Sequence, residues 1–458
     1  MKIHFIGIGG IGVSALARYY LAQNHKVSGS DLVSSEITKA LKKLGAKVFI
    51  GKHKAKNLPK DADLIIYSSA ILEDNPELLK AKKLQATSYK LRVMSYPKAL
   101  GDLTKKYFTI AICGMHGKTT TTALLSLILA KAGLDPTVIV GTKLKEFKDS
   151  NCRIGEGKYL VIEADEYKSA FLNYWPKIII LTSIEREHLD YYKNLEHILR
   201  VFREFIMHLP RDGVLVANKG DKNIKKLIEK FKNQKSRFKI VFYSLSQKQS
   251  RKIRKTLRIP GDFNVSNALA ALIVARILKI PDKITFKTFS EYKGSWRRFE
   301  IFNIKFPIAN RQLPITLISD YAHHPTQVKV TIRATREKFP KRRIVLVYQP
   351  HQVKRTKILF EDFVKSFDGV DLLILNEIYE VAGRETEGKR KISSRDLALS
   401  IQRRWEKLGY RKIVRFIKNQ DGIFKKLKGI IKKNDIVIVM GAGDIYNLVL
   451  KLRKVSTS

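Results

Sequence analysis

Three times along this chain a short apolar run meets a glycine-rich turn that leads into a helix-like segment: Lys2 to Ala17, Phe108 to Ala130 and Asp435 to Leu450. A turn of this kind can set a phosphate on the unbonded amides of a helix N-terminus. Strand-like runs at Leu64 to Tyr67, Tyr159 to Ile162, Ile178 to Leu181, Ile344 to Tyr348 and Asp371 to Leu375 alternate with helix-length amphipathic stretches. The alternation predicts α/β layers with mostly parallel sheets. A chain of 458 residues is too long for one ordinary core, so three domains are expected. Breaks are expected near Thr104 to Lys106 and near Gly294 to Arg298, giving 1–105, 106–297 and 298–458.

Composition excludes several classes. The apolar fraction of 44% is that of a soluble globular protein, and the longest apolar runs, Lys2 to Ile8 and Ile436 to Met440, are too short to span a bilayer. No membrane insertion is expected. The start of the chain enters a strand at once, without the apolar stretch and cleavage site of a signal peptide, so a cytoplasmic location is expected. Two cysteines, Cys113 and Cys152, exclude a disulfide framework and a four-cysteine zinc site. The formal net charge of +46 fits nucleic acid, anionic lipid or polyanionic small substrates. Its cations are spread through every segment, including ordinary helix faces such as Lys222 to Lys232, which favours solvated faces and no nucleic-acid partner.

The first glycine turn is Gly7-Ile8-Gly9-Gly10-Ile11-Gly12, directly after a strand and before a helix that begins near Val13. Gly7, Gly9 and Gly12 have the spacing that permits a tight turn and close approach of amides to a pyrophosphate. Asp31 follows roughly 20 residues on, where a dinucleotide enzyme holds a ribose. Read alone, the turn fits a nicotinamide site or a purely structural turn. The second turn, Gly114-Met115-His116-Gly117-Lys118-Thr119-Thr120, carries the Gly-Lys-Thr core of a phosphate-binding loop. Amides cradle phosphates, Lys118 reaches the terminal ones, and the Thr119 hydroxyl can ligate magnesium. It is shorter than a standard Walker loop, because Ile112 stands where that pattern has glycine.

A triphosphate site behind a separate dinucleotide-like domain resembles the Mur ligase family, whose shortened loop reads Gly-x-x-Gly-Lys-Thr. Further blocks match in the family's order across nearly the whole chain. Glu163 to Tyr167 resembles its acidic segment, with Glu163 as a magnesium ligand, and Thr182 to Asp190 resembles the block whose histidine, here His188, lies on the metal side. Gly261 to Ala268 carries Asn264 and Asn267, matched to the pair that meets adenine, although two asparagines at a helix start read equally as caps. Gly294 to Glu300 resembles the hinge whose arginine, here Arg298, reaches the ATP phosphates. Asp320 to Thr326 and Tyr348 to His351, followed by Arg355, are most similar to the alanine-adding branch.

The resemblance implies a Rossmann-like N-terminal domain for the UDP end of UDP-N-acetylmuramic acid, using Gly9, Gly10, Ile11, Gly12, Asp31, Ser68 and Ser69. It implies a central P-loop ATPase-type domain that uses ATP and Mg2+ through Gly114, Met115, His116, Gly117, Lys118, Thr119, Thr120, Asn264, Asn267, Arg298 and Asp320, with Thr119, Glu163 and His188 at the metal. A Rossmann-like C-terminal domain would close over L-alanine, with Tyr321, His323 and Arg355 around it. Lys118, His188, His323 and Arg355 form the implied catalytic set, in a monomer or homodimer. Three positions depart from the family's pattern: Ser183 for Asn, Glu187 for Asp, and Gln352 for an arginine found in some relatives. The competing readings are a nicotinamide oxidoreductase, a nucleic-acid-driven ATPase, and a sister ligase that attaches a recycled peptide.

Overall fold

The apolar runs pair into three sheets in a computed structural model that describes residues 1–88, 90–188, 191–232, 237–308, 311–380 and 392–456. The first comprises β1 (Lys2–Ile6), α1 (Ile11–Ala22), β2 (Lys26–Asp31), α2 (Glu36–Lys43), β3 (Lys47–Ile50), β4 (Leu64–Tyr67), α3 (Pro76–Thr87), β5 (Arg92–Ser95) and α4 (Tyr96–Thr104). Its order is β3-β2-β1-β4-β5, all parallel. Ile3, Phe5, Ile6, Leu64, Ile65 and Ile66 are all buried, as strands covered by helices on both faces must be. The order reverses between β1 and β4, and open α/β sheets take ligands in the crevice at that point. Gly7 leaves β1 there, and Ser68 leaves β4.

The second sheet follows the same logic. It comprises β6 (Phe108–Cys113), α5 (Lys118–Lys131), β7 (Thr137–Leu144), β8 (Ser150–Arg153), β9 (Tyr159–Glu163), β10 (Ile178–Leu181), α6 (Leu195–Ile206), β11 (Val214–Asn218), α7 (Lys222–Lys232), β12 (Lys239–Tyr243), α8 (Gln249–Thr256), α9 (Asp262–Ile277) and α10 (Asp282–Glu291). The order is β12-β11-β10-β6-β9-β7-β8, parallel except where β8 turns back on β7. Central β6 ends between β9 and β10, so the second glycine turn opens beside Glu163 and Thr182.

The third sheet comprises β13 (Glu300–Ile308), β14 (Arg311–Asp320), α11 (Pro325–Lys338), β15 (Ile344–Tyr348), α12 (Val353–Ile358), α13 (Phe360–Val364), β16 (Leu372–Leu375), α14 (Ser394–Lys407), β17 (Ile413–Phe416), α15 (Gln420–Lys428), β18 (Ile436–Met440) and α16 (Tyr446–Lys454). Its order is β13-β14-β18-β15-β16-β17, with only the β13–β14 pair antiparallel. Alternation sets its two cores: Ile344, Leu346 and Tyr348 pack with Trp405 and Phe363 on one face, Val345 and Val347 with Phe424 and Leu448 on the other.

The chain divides into two compact units. The first is Met1–Glu187, Tyr191–Thr256 and Ser266–Glu291, with the first two sheets; the second is His188–Asp190, Leu257–Val265 and Tyr292–Ser458, with the third. Within the first unit one buried cluster runs from Phe5 and Ile66 through Ala111 and Leu160 to Phe205. Helix α1 packs on β7 and β8, where the Asn151 amide donates to the Ile11 carbonyl and to Ser14 Oγ at 3.1 Å. Both cysteines are buried in this cluster, and burial pushes the Cys152 thiol up to about 12. Among the described residues no helix is long and apolar enough to cross a membrane.

Candidate active site

The N-terminal turn is shaped by β2. The amides of Gly7 and Ile8 donate to the Ser30 carbonyl at 2.9 and 3.0 Å, and the Gly9 amide donates to Asp31 Oδ2 at 2.8 Å. Asp31 is therefore bonded to the turn itself. Gly10 caps α1, and the first helical bond runs from the Ser14 amide to its carbonyl at 2.8 Å. The amides of Ile11, Gly12 and Val13 precede that ladder, so they are the donors a helix start offers to an anion. A Cβ on Gly12 would lie 2.7 Å from the Tyr96 hydroxyl, which leaves that position to glycine. Ser68 packs beside Gly7, whereas Ser69 is exposed at the end of β4.

The second turn is built more tightly. Gly114 and Gly117 adopt φ of 124° and 84°, which favour glycine. The Thr182 hydroxyl, with one proton to give, lies 2.6 Å from the His116 carbonyl and 3.0 Å from that of Cys113, and the Met115 amide donates to the Ser183 carbonyl at 3.0 Å. Ser183 Oγ accepts the His116 amide at 2.9 Å, so the serine that replaces the family's asparagine shapes the loop. Asn267 packs directly against Gly117, and a Cβ there would collide with its side-chain oxygen. Thr120 is buried in the first turn of α5, and His116 Nε2 lies 3.3 Å from Glu185.

Lys118 starts α5, and its ammonium donates to the Gly114 carbonyl at 2.7 Å and to both oxygens of Glu166 at 2.8 Å. Burial alone would lower its pKa, but Glu166, Asp165 and Glu163 hold it above the usual value, so the lysine stays charged. The Thr119 hydroxyl donates to Glu163 Oε2 at 3.1 Å, and the Gly141 amide donates to Oε1 at 2.7 Å. A hydroxyl beside a carboxylate at the mouth of a phosphate turn is the donor set a hard cation takes.

In the second unit the site residues gather at the carboxyl ends of β14, β15 and β18. Asp320 accepts the amides of Phe299 and Ala322, each at 2.8 Å; burial pushes its carboxyl up, and Arg298 opposes that shift. The Arg298 guanidinium stands 4.8 Å over the Tyr321 ring. Its neighbour Arg297 is buried and donates to the carbonyls of Gly441 at 2.6 Å and Gly443 at 3.0 Å, pinning the third glycine turn. Tyr321 and His323 pack edge to face at 5.4 Å, His323 lies 5.8 Å from His351, and His351 stacks on Tyr379 at 5.6 Å. Arg355 donates to His351 Nδ1 at 3.0 Å. A guanidinium is never an acceptor, so the neutral His351 ring carries its proton on Nε2. Gln352, the departure after His351, takes a left-handed φ of 69° and donates its amide to Tyr379 at 2.9 Å.

Asn264 lies at the start of α9 and donates to the Pro260 carbonyl at 2.7 Å. His188 adopts a left-handed φ of 54° and is half-buried, a conformation that clusters at functional sites. Leu189 and Asp190, the end of its block, lie outside the described residues. Sequence reasoning passed over Glu166, Gly141 and Tyr379. Glu166 lay in the acidic segment already noted, but spacing does not tell which of its carboxylates turns inward. Gly141 and Tyr379 carried no local signal.

Comparison with known proteins matches the chain to three family models: Mur ligase family, catalytic domain, over residues 2–108; Mur ligase middle domain, over 112–275; and Mur ligase, glutamate ligase domain, over 297–443. A UDP-N-acetylmuramate–L-alanine ligase of Clostridium kluyveri is 38% identical over 465 residues, covering 98% of this chain and 96% of that protein. One of Clostridium botulinum is 39% identical over 469 residues, covering 97% and 96%. The crystal structure of the UDP-N-acetylmuramate-alanine ligase of Thermotoga maritima superposes with a TM-score of 0.76 at 25% identity, covering 99% and 98% of the two chains.

The loop geometry sets a first test. Gly117→Ala would strain a left-handed position and drive a methyl into Asn267. Calorimetric affinity for ATP is expected to fall at least about tenfold with the circular dichroism unchanged, one decade being only about 1.4 kcal/mol. Full affinity would mean that nothing binds on this turn.

Proposed function

Because the chain belongs to the Mur ligase family, we propose that it joins L-alanine to the carboxylate of UDP-N-acetylmuramic acid with hydrolysis of ATP to ADP and phosphate. One observation carries this reading: a single compact unit holds two glycine-rich helix starts of different chemistry. One presents a charged lysine and a hydroxyl beside a carboxylate, as a triphosphate requires; the other offers amides and glycines alone, as the diphosphate of a UDP sugar requires. The relatives that match over nearly the full length carry the same activity in their names. On this reading the reaction is cytoplasmic.

The chemistry follows from the weakness of a carboxylate as an electrophile. Transfer of the ATP γ-phosphoryl group to the muramate carboxylate gives an acyl phosphate and ADP. Lys118, kept protonated, turns from Glu166 toward the charge on the transferring group. Thr119 and Glu163 would hold magnesium, which when bound neutralises phosphate charge, and His188 is assigned to the metal side from its motif. Asn267 and Asn264 are assigned to adenine, and Arg298 and Asp320 to the nucleotide. The amine of alanine then attacks the acyl carbon, and the tetrahedral adduct collapses with loss of phosphate. Tyr321, His323 and Arg355 are assigned to the amino acid, whose carboxylate must carry much of its recognition because a methyl side chain offers little area.

Phosphate release from ATP is expected only when UDP-N-acetylmuramic acid and an amino acid are both present, with alanine giving a higher kcat/KM than glycine or serine. Release stimulated instead by DNA or RNA, or measurable NADH affinity, would overturn the reading. Arg355→Ala is expected to raise the alanine KM about 10–100-fold, the loss of one charge-assisted contact, and Arg355→Lys to recover only part of it because an ammonium lacks the planar fork. An unchanged alanine KM with a raised KM for another substrate would assign Arg355 to that ligand.

A further inference from the structure

Among the buried carboxylates to which the ligation chemistry gives no task, Glu77 is the one placed beside the N-terminal turn. Glu77, in the first turn of α3, is fully buried, and both of its oxygens are saturated with donors. His4 Nε2 of β1 at 3.2 Å and Ser30 Oγ of β2 at 2.6 Å donate to Oε2. The Lys54 amide at 3.2 Å and Asn57 Nδ2 at 2.7 Å donate to Oε1, with His53 Nδ1 3.4 Å away. Ser30 spends its only proton on Glu77, so His53 Nδ1, 3.0 Å from Ser30 Oγ, must be the donor in that pair. His4 gives its Nε2 proton to Glu77, and its Nδ1 lies 2.9 Å from Ser28 Oγ. One anion thus fixes a ring proton on each of two histidines and ties together β1, β2, the segment after β3, and α3.

A buried ionised group is seldom the cheapest way to hold a fold together, since apolar residues of similar volume often do as well. Its position is the informative fact. Ser30, held by Glu77 through its side chain, offers its carbonyl to the amides of Gly7 and Ile8, the floor of the N-terminal glycine turn. His4 lies on β1 just before that turn, and Asp31, which accepts the Gly9 amide, directly follows Ser30. We propose that Glu77 is a positioning residue for the UDP substrate: it fixes the Ser30 carbonyl, and with it the glycine turn, in the geometry that receives the diphosphate. This rests on reading that turn as the UDP cradle.

The test compares three variants of the full chain with the parent, well below each variant's melting temperature. Glu77→Gln replaces an acceptor oxygen by an amide donor facing other donors, and Ser30→Ala removes one bond to the carboxylate, with the His53 contact to Ser30, while leaving the carboxylate its other partners. Gly9→Val blocks the turn directly. Loss of one or more such hydrogen bonds at the turn is expected to raise the KM for UDP-N-acetylmuramic acid about 10–100-fold in Glu77→Gln and about 3–10-fold in Ser30→Ala. KM for ATP and for alanine should stay within about twofold, since no other substrate rests on this turn. A scaffold role alone would lower the melting temperature and leave the KM values together, and that result overturns the proposal. If Glu77→Gln does not fold, the Ser30→Ala ratio decides on the same terms. Should Gly9→Val leave the UDP-substrate KM unchanged, the cradle reading itself fails; should it raise that KM while Glu77→Gln and Ser30→Ala do not, only the role of Glu77 is lost.

Discussion

An ammonium withdrawn from water has to be met by opposite charge and by hydrogen-bond acceptors, and the central sheet is arranged to meet one. Lys118 starts a helix that is buried along most of its length, and its head group is largely withdrawn from solvent. The Gly114 carbonyl and the buried Glu166 receive it instead. Taking away one partner of such a pair costs about 3–5 kcal/mol, which makes the acidic segment after β9 as necessary to the turn as its glycines. On the proposed reading an incoming triphosphate would replace Glu166 with more charge, and Lys118 would serve transfer without any change in its protonation.

The rest of the first unit follows from where that turn opens. β6 is central, so its end is flanked by the ends of β9 and β10, which deliver Glu163 on one side and Thr182 with Ser183 on the other. Glu163 is held in turn by the Gly141 amide of β7, and β7 and β8 pack on α1, where Asn151 meets the Ile11 carbonyl of the N-terminal turn. A continuous chain of strands and hydrogen bonds therefore joins the carboxylate beside the second glycine turn to the helix start of the first. The third sheet repeats the plan by itself, with Asp320, His351 and Gly441 at adjacent strand ends.

Much of this was legible in the residues alone. Runs such as Ile3 to Ile6 and Ile344 to Tyr348 are buried on both sides and read as strands without help from periodicity, and glycines at their ends mark turns that only glycine accepts. What sequence could not supply was direction. It singled out Arg298 and gave Arg297 no task, although Arg297 is buried and holds the backbone carbonyls of the third glycine turn. It placed Asp31 at the N-terminal turn without showing that its carboxylate accepts the Gly9 amide. It gave no role to Glu77, Asn151 or Tyr379, because their partners are far off in the chain and no local pattern announces a bond across such separations.

The central claim is that the muramate carboxylate is activated by phosphorylation. UDP-N-acetylmuramic acid labelled with oxygen-18 in that carboxylate distinguishes this from every route that spares its oxygens. Turnover with ATP and alanine should place one labelled oxygen in each phosphate released, read by mass spectrometry of the phosphate. Unlabelled phosphate at full turnover would contradict the account.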